Sequence, residues 1–230
     1  MDEFLSDREQ AERLKKWWLE NYKSIAAGII IAALIIFGWR WWQQRTQVRS
    51  LTASMMYNQM GYMLAANNGS PALKIANDLI NNYRDTPYAS QAALAMAQHD
   101  ISMDKPDDAM QMLTWVIKNS KDEGLKLLAN LRLARVKLMV GDPQAALNVL
   151  ASVRPGSFTP LYAELSGDAY VKLGETDKAR DAYQQALDHW NVDMGDKSLV
   201  KMKLDNLPVA PATTATKPPA AHTLSGASKP

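Results

Sequence analysis

The chain contains no cysteine. That absence removes disulfide staples, thiolate metal sites and thiol nucleophiles, and it leaves the redox compartment open because a thiol-free chain suits any of them. An excess of one charge is missing too. With 26 basic and 24 acidic residues the net charge is +2, so no global field directs the chain to nucleic acid. Histidine is scarce: His99, His189 and His222 lie far apart, with neither HExxH nor HxxxH spacing, so they predict no zinc site. The glycine-containing stretches "NNGSP" and "VGDP" lack the spacing of a phosphate-binding loop and the strand that a dinucleotide site needs, and read as turns. Asp104, Asp107 and Asp108 gather at a predicted helix start, where carboxylates favourably meet the positive end of the dipole, and read as a cap. No catalytic, cofactor-binding or metal-binding residues are expected, and no small-molecule substrate.

What is present is a long apolar run, "SIAAGIIIAALIIFGWRWW", residues 24–42. Between Lys23 and Arg40 it holds 16 uncharged residues, about 24 Å as a helix, and Trp41 and Trp42 bring the span to about 28 Å, close to the roughly 30 Å of a bilayer core. Arg40 interrupts the last turn, but its stem can lie along apolar surface while the guanidinium reaches the headgroups. Trp39, Trp41 and Trp42 point to different sides of a helix, as a belt at one interface does, and Trp17, Trp18 and Tyr22 supply the opposite belt. The run is followed by Gly38, Trp39, Arg40, Trp41 and Trp42, with no A-x-A-like cleavage pattern, so the segment is predicted to stay as a transmembrane anchor.

Flanking Lys and Arg favour the N-terminal side only by four to three. The uncleaved segment behind a 23-residue tail predicts a cytoplasmic N-terminus and an exported domain. Ahead of the span Phe4, Leu5, Ala11, Leu14, Trp17 and Trp18 recur at helical spacing among Arg8, Arg13, Lys15 and Lys16. This is the pattern of a helix lying on an anionic membrane surface, or of a plain solvated tail. Gly28 and Ala32 form a small-xxx-small pair.

Beyond the anchor no strand-like alternation appears. Ser70-Pro71, Thr86-Pro87, Asp142-Pro143 and Thr159-Pro160 each place a capping side chain before a proline at the first helical position. Further boundaries fall at Asp104-Lys105-Pro106, Ser120 to Gly124 and Gly174-Glu175-Thr176, predicting eight helices in antiparallel pairs. Gly167, Tyr170, Gly174, Ala179, Tyr183 and Ala186 carry tetratricopeptide spacing. One repeat earlier the pattern falls on Ala134, Gly141, Ala146 and Leu150, a second step back on Ala97, Ala109 and Leu113, and a third on Ala72. Met55, Met56, Met60 and Met63 read as core filling in the first helix. "SLVKMKLDNL", residues 198–207, offers Leu199, Met202, Leu204 and Leu207 as a capping helix, and the Pro-rich stretch after it reads as a disordered tail.

The fold class predicted is therefore all-α: residues 1–23 a cytoplasmic tail, 24–42 the anchor, 43–207 a periplasmic tetratricopeptide-like solenoid of about four hairpins with a capping helix, and 208–230 the tail. Such a solenoid has a concave side. The repeat positions put Leu94, Gln98 and Ile101 there, then Leu131, Arg135, Leu138 and Met139, then Glu164, Asp168, Val171 and Lys172. The strip is suited to a segment of another protein, or simply to packing against its neighbours.

"FGWRWWQQ" at the end of the anchor, "LKLLANLRLARVKLMVGDPQAAL" at residues 125–147, the "GETDKARDAYQQAL" hairpin and the closing "VKMKLDNL" together resemble the YfgM-type ancillary subunits of the bacterial SecYEG translocon. The resemblance covers about residues 10 to 207. It implies a single-span inner-membrane protein with a periplasmic tetratricopeptide-like domain, associated with the SecYEG channel and with a PpiD-type periplasmic chaperone. The same features without a translocon role describe an anchored tetratricopeptide adaptor for cell-envelope assembly. The Pro-rich extension has no place in the family pattern.

Overall fold

The computed structural model describes residues 7–191 and 196–208. Among the described residues there are nine α-helices and no strand: α1 (Asp7–Ala65), α2 (Gly69–Asn82), α3 (Pro87–Ser102), α4 (Pro106–Asn119), α5 (Glu123–Met139), α6 (Pro143–Ala151), α7 (Thr159–Leu173), α8 (Thr176–Asp188) and α9 (Ser198–Asp205). Phe4, Leu5, His222 and the tail beyond Pro208 lie outside the described residues.

The first helix departs most from the sequence pattern. Rather than separate segments for tail, anchor and first repeat helix, α1 is one rod of 59 residues. No proline occurs before Pro71, so nothing removes a backbone donor along this whole length. Gly28 and Gly38 do not break it; in hydrocarbon the alternative to a helix is unsatisfied backbone.

The hairpins follow one plan, most evident in their turns. Asn67, Asp104, Gly141 and Gly174 all have left-handed backbones, at φ 57°, 55°, 86° and 75°, and recur at nearly even intervals along the chain. After each, the next amide reaches back into the last turn of the preceding helix: Asn68 to Met63 at 2.8 Å, Lys105 to Asp100 at 2.8 Å, Asp142 to Lys137 at 2.9 Å and Glu175 to Tyr170 at 2.9 Å. This is the Schellman bond, which satisfies orphan carbonyls and reverses the chain. Asn and Asp tolerate the conformation, so the repeat extends into hairpins that lack its glycine.

Two of the four proposed caps shift by a residue or two. Asp142 Oδ1 accepts from the Ala145 amide at 2.9 Å, a true cap, and Thr86 stands ahead of α3 with Pro87 in its first turn. But α2 opens at Gly69 with Asn68 as cap, because the reversal at Asn67 has already set the chain direction before Ser70. Thr159 begins α7 instead of preceding it, its hydroxyl donating to the Gly156 carbonyl at 2.6 Å.

Compact units part at Ala129 and Asn130, within α5. In the first, Ala53 and Met60 of α1 pack with Ala72, Ala76 and Leu79 of α2 and Ala92 and Met96 of α3. Met56 and Met63 flank that core while Met55 faces out, so three of the four methionines fill it. In the second, Ala163, Ala179, Tyr183 and Ala186 of α7 and α8 close against Val200 and Leu207. The crossing positions Ala72, Ala97, Ala109, Leu113, Ala134, Ala146, Leu150, Ala179 and Ala186 are all buried. At Gly167 the reason for a small residue is direct: a Cβ there would overlap the ring of Tyr183.

The capping helix forms where expected but is rotated. Val200 and Leu207 are buried and Leu204 packs beside them, while Leu199 and Met202 face out. Turning Val200 inward also brings Lys203 onto α7.

Replacing a helix-interior glycine with alanine ordinarily stabilises by about 1 kcal/mol. Here Gly167→Ala is expected to destabilise by about 1–3 kcal/mol, because the methyl group must displace Tyr183. Asp104→Gly, which relieves a left-handed non-glycine residue, should stabilise by about 0.5–1 kcal/mol. Chemical denaturation of the detergent-solubilised chain, followed by circular dichroism, measures both.

Candidate interaction surfaces

Along the apolar part of α1 every large side chain from Ile29 to Phe37 is exposed, and the window is long and apolar enough to cross a membrane. Trp17, Trp18 and Tyr22 stand at one end, and Trp39, Arg40, Trp41 and Trp42 at the other, all exposed. From Trp18 to Trp39 the rise is about 31 Å, the thickness of a hydrocarbon core. Trp39 and Trp42 rings lie 5.7 Å apart, and the Arg45 guanidinium sits 5.5 Å from the Trp41 ring centre. A cation over an aromatic face at a headgroup boundary is a stable arrangement.

Just beyond the belt α1 receives the turn between α2 and α3. Arg49 Nη2 donates to Asp85 Oδ1 at 2.8 Å and to the Asn82 carbonyl at 2.6 Å, and its guanidinium lies 5.2 Å from the Tyr83 ring centre. The hydrogen bond from Arg49 holds the Asp85 carboxyl below its usual range, although partial burial opposes this. Sequence pattern alone does not reveal the clamp, since its partners stand far apart along the chain.

The candidate groove residues divide by environment. In the first unit Leu94 is buried, Ile101 is half-buried and Gln98 is exposed. In the second, Leu131 and Leu138 are buried, while Arg135, Met139, Val171 and Lys172 are exposed. Glu164 and Asp168 are already engaged. Lys203 Nζ of α9 donates to Glu164 Oε1 and Asp168 Oδ2, both at 2.8 Å, and the Tyr183 hydroxyl donates to Asp168 Oδ1 at 2.7 Å. Burial lowers the Lys203 pKa, but the hydrogen bonds it donates to Asp168 and Glu164 outweigh it and the net shift is upward. Tyr183 is pushed well up, by burial first and by Asp168 second, so it stays a proton donor.

Each unit also has a cleft. One of about 540 Å³ is lined by Leu73, Met96, Met103 and Met112 beside Asp100, whose pKa is raised by burial and then by Asp108. The other, about 410 Å³, opens onto Leu147, Tyr162, Tyr170 and the Glu175–Lys178 ion pair. Among the described residues no three His, Asp or Glu side chains are placed to hold a metal.

Residues 15–209 match the tetratricopeptide repeat-like domain family model. The "Ancillary SecYEG translocon subunit" of Escherichia coli (strain K12) is 27% identical over 209 residues, 91% of this chain and 100% of that protein. The protein of the same name from Neisseria gonorrhoeae is 30% identical over 206 residues, 88% of this chain and 98% of its own. The chain belongs to the family of ancillary SecYEG translocon subunits. Among solved structures, MamA 41-end from Desulfovibrio magneticus RS-1 aligns at a TM-score of 0.50 and 18% identity over 66% of this chain and 91% of its own, a likeness of fold alone. The matched residues 15–209 take in the apolar span, all four hairpins and α9, and leave out most of the Pro-rich extension.

Lys203→Met leaves two half-buried carboxylates without their cation, and a loss of about 1–3 kcal/mol is expected. The Lys203 pKa is raised on folding, so its contribution is complete below the ordinary lysine value of 10.5 and declines as pH rises through the higher folded value. Denaturation midpoints of wild type and variant should therefore differ at pH 7 and converge above pH 10.5.

Proposed function

We propose that this chain is a non-enzymatic scaffold held in the bacterial inner membrane by α1, an ancillary subunit of the SecYEG channel that links it to PpiD-type periplasmic chaperones. The observation that carries the reading is the combination of a full-length match to relatives named as ancillary SecYEG translocon subunits with an anchor that runs unbroken into a tetratricopeptide-like repeat. Tethering raises the effective concentration of the repeat surfaces beside the channel, so weak contacts suffice.

In this reading the N-terminus is cytoplasmic and the domain from residue 43 onward is periplasmic. The support is the bias of flanking Lys and Arg, four on the N-terminal side of the span against three on the other, and the long folded region behind it. Partner contact falls on the exposed members of the repeat strip, Gln98 in the first unit and Arg135, Met139, Val171 and Lys172 in the second. Their buried neighbours hold the helices that present them.

Topology has a direct test: protease added to spheroplasts digests the domain beyond residue 50, whereas protection until the inner membrane is lysed reverses the orientation. Solubilisation in mild detergent and capture of the full chain should recover SecY together with a PpiD-type chaperone. Recovery of envelope-assembly enzymes without SecY would overturn the reading. Arg135→Glu with Lys172→Glu should reduce chaperone recovery at least fivefold while leaving the chain folded, if the strip is the contact.

A further inference from the structure

The side of α1 facing away from the repeat core carries a second pattern. Starting at Ile30 and stepping alternately four and three residues, the helix shows only apolar side chains as far as Trp41, within the span. The same steps continue beyond the belt through Gln44, Val48, Leu51, Met55, Asn58 and Tyr62. All six are exposed, the four apolar ones by 58% to 76%. At 100° per residue these positions form one narrow seam, roughly opposite Ala53, Met56 and Met60, which pack on α2 and α3. Lipid covers the seam as far as Trp41. Between Val48 and Tyr62 no described residue of the chain covers it.

Within the span nearly every position is apolar, so the informative part of the repeat is Gln44 to Tyr62, more than two heptads in which four of six positions are apolar and exposed, the spacing of a coiled-coil seam. We propose that α1 pairs along this seam with α1 of a second copy of the chain, as a parallel, in-register coil that starts in the membrane and continues beyond it. A partner that covers both halves must itself cross the bilayer and run on as an unbroken helix well past the tryptophan belt, and α1 is such a helix. A shared membrane orientation makes two copies parallel.

The two polar positions favour self-pairing. Gln44 and Asn58 are separated by two heptads and occupy the same place in the repeat, so in a parallel pair each amide meets its own copy. Against an apolar helix both would be left unpaired. Beyond the belt the flanking positions Gln47, Thr52, Ser54 and Gln59 are uncharged and encode no oppositely charged partner. Arg40 and Arg45 flank the seam at the belt, where lipid phosphates neutralise them.

The absence of native cysteine makes the test clean. Val48→Cys, Leu51→Cys and Met55→Cys, each in the purified full chain reconstituted in liposomes, are oxidised with copper phenanthroline. They are expected to form disulfide dimers at least tenfold more than Gln43→Cys and Thr46→Cys, which are exposed on other sides of the same helix. Equal cross-linking on all sides, or none on the seam, overturns the proposal. Adding Leu51→Glu and Met55→Glu to Val48→Cys should suppress the dimer at least tenfold with helical content unchanged, and a persistent dimer would also overturn it. The same oxidation in native membranes distinguishes a second copy, seen as a homodimer, from another helix, seen as a mixed adduct that refutes self-pairing.

Discussion

The constraint on which everything else rests is the continuity of one helix from the long apolar run into the first hairpin. Because α1 runs from Asp7 to Ala65 without a break, the direction of each side chain beyond the apolar run is set by its angle on the same rod. A hinge after the apolar run would leave α2 and α3 free to reorient. Here the first repeat helix continues the apolar run, so α2 and α3, which pack on it, inherit its direction. Arg49 reinforces this two turns past Trp42 by holding the α2–α3 turn to the rod. An exposed ion pair alone contributes little. The carbonyl of Asn82 and the ring of Tyr83 give this one a fixed geometry.

Hairpins in such a fold need two things, close approach at their crossings and a defined reversal. Alanine and Gly167 supply the first by removing bulk, and their near-complete burial shows the helices meeting there. The second comes from a left-handed residue and the back-bond that follows it, repeated four times with Asn, Asp, Gly and Gly. The geometry repeats more faithfully than the sequence does. Backbone reversal requires only a residue that tolerates positive φ, and three residue types meet that requirement.

This difference explains what could be read beforehand. The all-α class, the hairpin boundaries and the crossing alanines follow from local rules of capping, spacing and size, which act over short stretches of chain. Asp104 fell at a predicted boundary and Asn67 in a predicted turn, but their left-handed role was not legible, because glycine is the usual sign of it and these residues do the same work. The rotation of α9 escaped for another reason. Leu199 and Met202 are as apolar as Val200, and the Glu164–Asp168 pair on α7, distant in sequence, meets Lys203 only on the Val200 side. Likewise the concave assignments followed repeat register, which fixes a helix face but not which residues on it, here Leu94, Leu131 and Leu138, are buried.

The end of the solenoid illustrates how such conflicts are resolved. A terminal repeat presents an apolar face that must be covered, and Val200 and Leu207 cover it. The adjoining carboxylates cannot be left partly desolvated without a cation, and Lys203 provides one while Tyr183 donates to the other oxygen of Asp168. Both requirements are met by a single rotation of one short helix, and the consequence is two exposed apolar side chains, Leu199 and Met202. Burial of Val200, Leu204 and Leu207 and the ion pairs of Lys203 lie on the same side of α9, so hydrophobic packing and charge pairing hold the helix in one and the same rotation.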